Sequence, residues 1–193
     1  MMTSSMRHKT TITIGIIAAV ALVLGVLFFG FSPAGEVGEQ DRGEEFAASA
    51  EHSETLPRSA PDGWRKYENA PYSFSLFYPE GMTARQFDEG GGAQTVIFED
   101  AVAGQGFQIF IVPYDGAQVS EERFLKDVPS GVRRELTVAD IGGVSASAFY
   151  STDALLGETR EVWFTRNGYL FEVTAPAVLD TWLAQILDTW QFN

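Results

Sequence analysis

The longest unbroken apolar stretch comes first: residues 12–31 contain one Thr and no charge. Roughly 20 apolar residues of helix are what a bilayer core requires, so the pattern predicts a transmembrane helix over 12–31. Beyond residue 63 the pattern becomes short alternating runs broken by turn residues. Tyr72, Phe74, Leu76 and Tyr78 alternate as in a strand with one aromatic face, ended by Pro79-Glu80-Gly81. Residues 95–99 read as a second strand with Val96 and Phe98 on one side. Residues 107–112 read as a third, apolar on both faces and therefore central. The glycine-rich segment 88–92 between the first and second runs reads as a hairpin connection or an irregular excursion.

Ser120-Glu121-Glu122 predicts a short helix that Ser120 caps and that Phe124 and Leu125 dock. Residues 134–138 and 145–150 read as strands joined by Asp140-Ile141-Gly142-Gly143. Residues 158–165 and 169–174 read as a hairpin turned by Asn167-Gly168. Val178, Leu179, Trp182, Leu183, Ile186, Leu187 and Trp190 recur at helical spacing, with Pro176 suited to the first turn. The two tryptophans on that stripe read as core anchors. No internal repeat is visible.

Charge then divides the chain. Arg7 and Lys9 precede the apolar run, and no Lys or Arg follows until Arg42. The positive-inside rule keeps residues 1–11 in the cytoplasm and exports everything after residue 31. A cleaved signal peptide is the competing reading, but its apolar core is usually about 7–15 residues, shorter than this one. Residues 32–63 are rich in Glu, Gly, Ser and Ala and poor in large apolar side chains, which predicts an acidic flexible linker. His52 within it reads as a solvated side chain. Residues 64–193 form the extracytoplasmic domain, with 18 acidic and 9 basic residues. With a net charge of −13 for the whole chain, no nucleic acid is expected as a partner.

Chemistry enters mainly by exclusion. The chain has no cysteine, so disulfides, thiolate metal sites and thiol catalysis are ruled out. Both histidines, His8 and His52, precede the domain, which excludes a Ser-His-Asp triad or a histidine-ligated metal inside it. Gly90-Gly91-Gly92 lacks the Lys and the spacing of a phosphate loop. No catalytic residue and no cofactor are assigned. The adjacent acids Asp88-Glu89, Glu99-Asp100 and Glu121-Glu122 read as solvated surface. Asp88 and Glu89 are the candidates for oxygen ligands to a hard cation such as calcium, without EF-hand spacing. Arg133-Arg134 reads as a solvated strand end that could contact a partner.

Trp64-Arg65-Lys66-Tyr67, followed by Tyr72-Ser73-Phe74-Ser75-Leu76-Phe77-Tyr78-Pro79-Glu80-Gly81-Met82, resembles the opening of PsbP-like domains, with Met82 where a tryptophan is usual. Ile141-Gly142-Gly143-Val144, Arg160 to Phe164, Tyr169 to Thr174 and the closing Thr189-Trp190-Gln191-Phe192 fit the same family. The resemblance implies an α+β fold, an antiparallel sheet of about six strands flanked by helices as an α-β-α sandwich, here preceded by one transmembrane helix. It also implies an exported accessory protein without shared catalytic residues. A single anchor before such a domain looks like a bacterial envelope protein. The functional expectation is a non-catalytic, single-pass interaction module held in the cell membrane by its N-terminal helix and binding another envelope protein. A cation- or small-ligand-binding accessory domain is the alternative, and a carboxylate-based hydrolase the third.

Overall fold

The structure, a computed structural model, describes residues 60–193. The expected transmembrane helix at 12–31, the cytoplasmic N-terminus and nearly all of the acidic linker lie outside the described residues. Among those described, no helix is long and apolar enough to cross a membrane.

Ten strands and two short helices follow one another along the chain: β1 (Trp64–Asn69), β2 (Phe74–Pro79), β3 (Thr83–Gly90), β4 (Ala93–Asp100), β5 (Gln105–Pro113), α1 (Glu121–Asp127), β6 (Arg134–Ile141), β7 (Val144–Asp153), β8 (Gly157–Arg166), β9 (Tyr169–Pro176), α2 (Asp180–Leu187) and β10 (Gln191–Phe192). Seven of them make one sheet, in the order β3-β4-β5-β9-β8-β7-β6, and β1-β2-β10 make a second. Every pairing is antiparallel. The main sheet therefore has seven strands rather than about six. One of its faces is covered by a small sheet together with α2, so the α-β-α sandwich expected from the resemblance is replaced on that side by sheet on sheet. The strands missed by the hydrophobic pattern, β1 and β3, are largely exposed and carry no alternating apolar face.

Side chains alternate across the main sheet and divide the core in two. Val96, Phe98, Ile109, Ile111, Val162, Phe164, Phe171 and Val173 point towards the small sheet and α2, where they meet Phe74, Leu76, Tyr78, Leu183, Ile186 and Trp190. Val112, Phe149, Trp163 and Leu170 point the other way, where Phe124 and Val128 of the α1 segment cover them. Residues 107–112 are accordingly apolar on both faces, and β5 is an interior strand between β4 and β9.

The predicted turns form where their chemistry requires. Arg166 pairs with Tyr169, leaving a two-residue loop in which Asn167 and Gly168 adopt φ of 51° and 79°. Positive φ at both positions is what a twisted hairpin needs, and it is nearly free only for Gly. Gly168→Ala should destabilise the chain by about 1–2 kcal/mol, read by urea denaturation. The glycine-rich segment 88–92 is a hairpin connection, with β3 running to Gly90 and β4 starting at Ala93.

Two expected core positions are corrected. Leu125 is 51 % exposed, since α1 docks through Phe124 alone of that pair. Val178 is 91 % exposed. Ala177–Leu179 form a 3₁₀ turn after Pro176, and its three residues per turn rotate Val178 away from the stripe that α2 continues. The rest of that stripe is inward: Leu183, Ile186 and Leu187 are buried, Trp182 packs against the core, and Trp190 is buried just beyond the helix. Thr189 Oγ1 accepts a hydrogen bond from the Phe77 amide at 2.8 Å, tying the end of α2 to β2.

Candidate functional site

Two glutamates stand among the buried residues of the neighbouring strands β8 and β9. On β9, Glu172 shares a face with Leu170 and Thr174; on β8, Glu161 shares a face with Thr159 and Trp163. The register sets Trp163 opposite Glu172 and Glu161 opposite Thr174, so the two carboxylates are diagonal neighbours on the α1 side of the sheet. Both are buried, at 5 % and 6 % exposure.

α1 lies over them. Ser120 caps it, its Oγ accepting from the Arg123 amide at 3.1 Å, and Glu121 and Glu122 occupy the first turn. Phe124 packs against Phe149 and Trp163, with ring centroids 5.7 and 5.9 Å away. Arg123 and Asp127, one helical turn apart, form an ion pair, and the Arg123 guanidinium also reaches Glu172 Oε1 at 3.3 Å. These three charged side chains are each about nine-tenths buried. Glu161 is held separately: Thr159 and Thr174 hydroxyls donate to it at 2.7 Å each, and the Trp163 indole N–H donates at 3.2 Å.

Burial raises the Glu161 carboxyl above the usual carboxylate range, while its three donors pull in the opposite direction. Burial also raises Glu172, and the charge of Asp127 and a hydrogen bond to it raise it further; Arg123 opposes them. The result for Glu172 lies well above the ordinary range. One guanidinium thus faces a pair of carboxyls, with Glu161 behind them, and burial together with the neighbouring Asp127 favours the protonated form of Glu172. Chemically the cluster is a buried set of ionisable groups in which burial favours the protonated forms of Glu161 and Glu172. A void of about 10 Å³ touches its margin, beside Thr174, Gln108 and Pro176, which is room for about one water.

The other concavity lies between the loop after β5 and the β8–β9 turn. It has a volume of about 380 Å³ and is open to solvent, with Tyr114, Asp115, Arg166 and Asn167 on its walls. The Tyr114 hydroxyl organises the loop, donating to Gln118 O at 2.8 Å and accepting from the Ser120 amide at 2.9 Å. Arg166 lies over the Phe192 ring at 4.1 Å. No nucleophile–base pair is formed among these residues.

The residues singled out from sequence are dispersed. Asp88 and Glu89 are exposed on the edge strand β3, where Asp88 Oδ1 accepts from the Gly90 amide at 2.8 Å. Glu99 pairs with Arg85 at 2.5 Å, and Asp100 Oδ1 caps the amides of Val102 and Ala103. Glu121 pairs with Arg133 at 2.9 Å, and Arg133 also covers the Phe124 ring at 4.4 Å. Arg134 pairs with Glu158 at 2.6 Å. Among the described residues, no three Asp, Glu or His side chains converge closely enough to hold a metal ion. The cluster that does form, Arg123, Asp127, Glu161 and Glu172, was missed. Its signal was present as a charged residue beside the large apolar residues of each strand, Glu161 before Val162-Trp163-Phe164 and Glu172 between Phe171 and Val173, and as an Arg and an Asp four apart flanking the docking Phe124.

No protein-family model matches this chain, and no curated protein matches it. Among solved structures it is similar to the solution structure of cyanobacterial PsbP (CyanoP) from Synechocystis sp. PCC 6803, at 15 % identity and a TM-score of 0.48, over 73 % of this chain and 99 % of that one. It is also similar to a crystal structure from Bacteroides thetaiotaomicron VPI-5482, at 16 % identity and a TM-score of 0.41, over 68 % of this chain and 49 % of that one. The first of these bears the name of the family that residues 64–82 resemble.

Proposed function

We propose that this chain is a non-catalytic accessory module, tethered to the cell membrane by residues 12–31 and presenting residues 64–193 outside the cytoplasm to another envelope protein. The observation that carries the reading is the edge of the main sheet. Among the described residues β6 is an outermost strand whose outer backbone edge pairs with no other strand, and its Leu136 and Val138 are 56 % and 82 % exposed on the α1 side. Apolar side chains on an open edge strand are a hazard that isolated proteins usually blunt. They suit a partner that adds an extended segment of its own by backbone pairing. The domain's excess of acidic over basic residues favours a segment bearing Lys or Arg. The carboxyls that burial perturbs most are sealed under α1, away from any surface a substrate could reach.

A photocrosslinking side chain placed at Val138 of the full-length protein, in its own membrane, should give one discrete adduct with another envelope protein. The same group at Val178, equally exposed but remote from an open strand edge, should give none. Adducts of equal pattern at both positions would remove β6 as the docking edge. Turnover of glycan, ester or peptide substrates by the purified protein would overturn the non-catalytic reading itself.

A further inference from the structure

The attachment of α1 is unusual in how little holds it. At seven residues it is too short to persist as a helix by itself, since isolated helices below about 12–15 residues are marginal in water. No backbone hydrogen bond joins it to a strand among the described residues. Its hold on the sheet is made by side chains: Phe124 and Val128 on the Phe149–Trp163–Leu170 surface, and Arg123 with Asp127 on Glu172. The charged half of that contact is out of balance. The ionisable groups facing it are Arg123 and Asp127 from α1, Glu172 from β9, Glu161 from β8, with Asp153 at the end of β7 acting on Glu161, and Tyr114 of the loop after β5, whose hydroxyl accepts from the Ser120 amide. Arg133 and Glu121 pair with each other at the outer side, against Phe124. β5 contributes only Gln108, Phe110 and Val112 to this face. A single buried guanidinium can balance one carboxylate, so the contact is satisfied only while protons occupy the others.

We propose that α1 is a proton-operated latch: it stays on the sheet while the Glu172 carboxyl beneath it holds its proton, and it lifts when that proton leaves. The direction follows from linkage. The folded chain holds the Glu172 proton to a higher pH than the unfolded chain, or the undocked helix, does. The stabilisation is therefore complete below the ordinary carboxylate range and is lost as pH rises through the raised value of Glu172. Lifting α1 would bare Phe149, Trp163 and Leu170. The inference is independent of the partner proposed above, because it concerns only how this chain holds its own helix.

The test is amide hydrogen exchange of the full-length protein read by mass spectrometry, comparing wild type with Glu172→Gln, which keeps the volume of the side chain and cannot ionise. At each pH the two proteins share the same intrinsic exchange chemistry, so their ratio isolates the latch. At about pH 5 the 121–128 amides should exchange within about twofold of each other; at about pH 9 those of wild type should exchange at least about tenfold faster. β8 and β9 should stay protected in both, which also shows that the variant has folded. Wild type alone remains decisive: α1 opening while β8 and β9 hold supports the latch. Equal behaviour of the two proteins, α1 protection unchanged with pH, or loss of the whole sheet together with α1 would each overturn it.

Discussion

Arg123→Met should destabilise the folded chain by about 3–5 kcal/mol at neutral pH, the range expected when one partner is removed from a buried charge cluster. Methionine preserves most of the apolar stem, so the loss reports the guanidinium rather than its packing. Without it, Asp127 and Glu172 face each other in the interior with no cation between them, and Glu161 adds its charge from the next strand. The pH dependence gives the distinctive signature. Carboxyls held above their ordinary range keep their protons in the folded state, and acid removes the very charges that Arg123 compensates. Urea denaturation of wild type and variant should therefore show a loss that shrinks as pH falls towards about 5. Adding Glu172→Gln to the Arg123→Met background should recover part of the loss at neutral pH, the non-additivity expected of side chains in direct contact. A loss of equal size at both pH values would instead mean that Arg123 acts through packing.

Trp190→Ala is expected to have an effect of comparable size, about 3–5 kcal/mol, for a different reason. Trp190 is buried at the junction of both sheets and α2. Its ring stacks on Phe74 at 4.4 Å and meets Phe164 edge-on at 5.4 Å, with Phe171 and Phe192 at 6.1 and 5.9 Å. Truncation to alanine would leave a cavity bounded by four aromatic rings that belong to four strands, and rigid neighbours of that kind collapse poorly. Trp190→Phe should cost much less, under about 2 kcal/mol, because the indole N–H has no hydrogen-bond partner in the protein and its removal relieves an unpaired buried donor. Denaturant midpoints of the two variants measure the contrast. If phenylalanine were as damaging as alanine, the indole nitrogen would have to be making a contact that matters, such as one to an ordered water.

These two sites differ in how openly the sequence declares them. Trp190 belongs to a stripe with Leu183, Ile186 and Leu187 that repeats at helical spacing, and its role as a core anchor can be read from that spacing alone. Glu161 and Glu172 could be placed in strands, since their neighbours alternate and Asn167-Gly168 sets the turn between them. What could not be read is that Arg123 and Asp127, some 34 to 49 positions away, arrive on the same face. The short helix carrying them was legible through Ser120 and Phe124, but its destination was not. A docking partner for so short a helix is selected by the whole surface it covers, and that surface is assembled from β5, β7, β8 and β9 together.

Local pattern determined the elements with strong period or special backbone demands: the interior strand around residues 107–112, the Asn167-Gly168 hairpin, the capped helix at Ser120 and the α2 stripe. The length and flanking charge of residues 12–31 set the expectation of a membrane anchor, and the absence of cysteine and of domain histidine removed whole classes of chemistry. Tertiary structure decided the rest. The edge strand β3 and the exposed parts of β1 have no apolar face, and they pair as strands because neighbouring backbones offer them hydrogen bonds. The second sheet gains its third strand because the two residues of β10 return to β2 across nearly the whole length of the domain. The carboxyl cluster exists because α1 covers this face of the sheet, and burial there raises Glu161 and Glu172 above the ordinary range by removing the water that favours their charged forms.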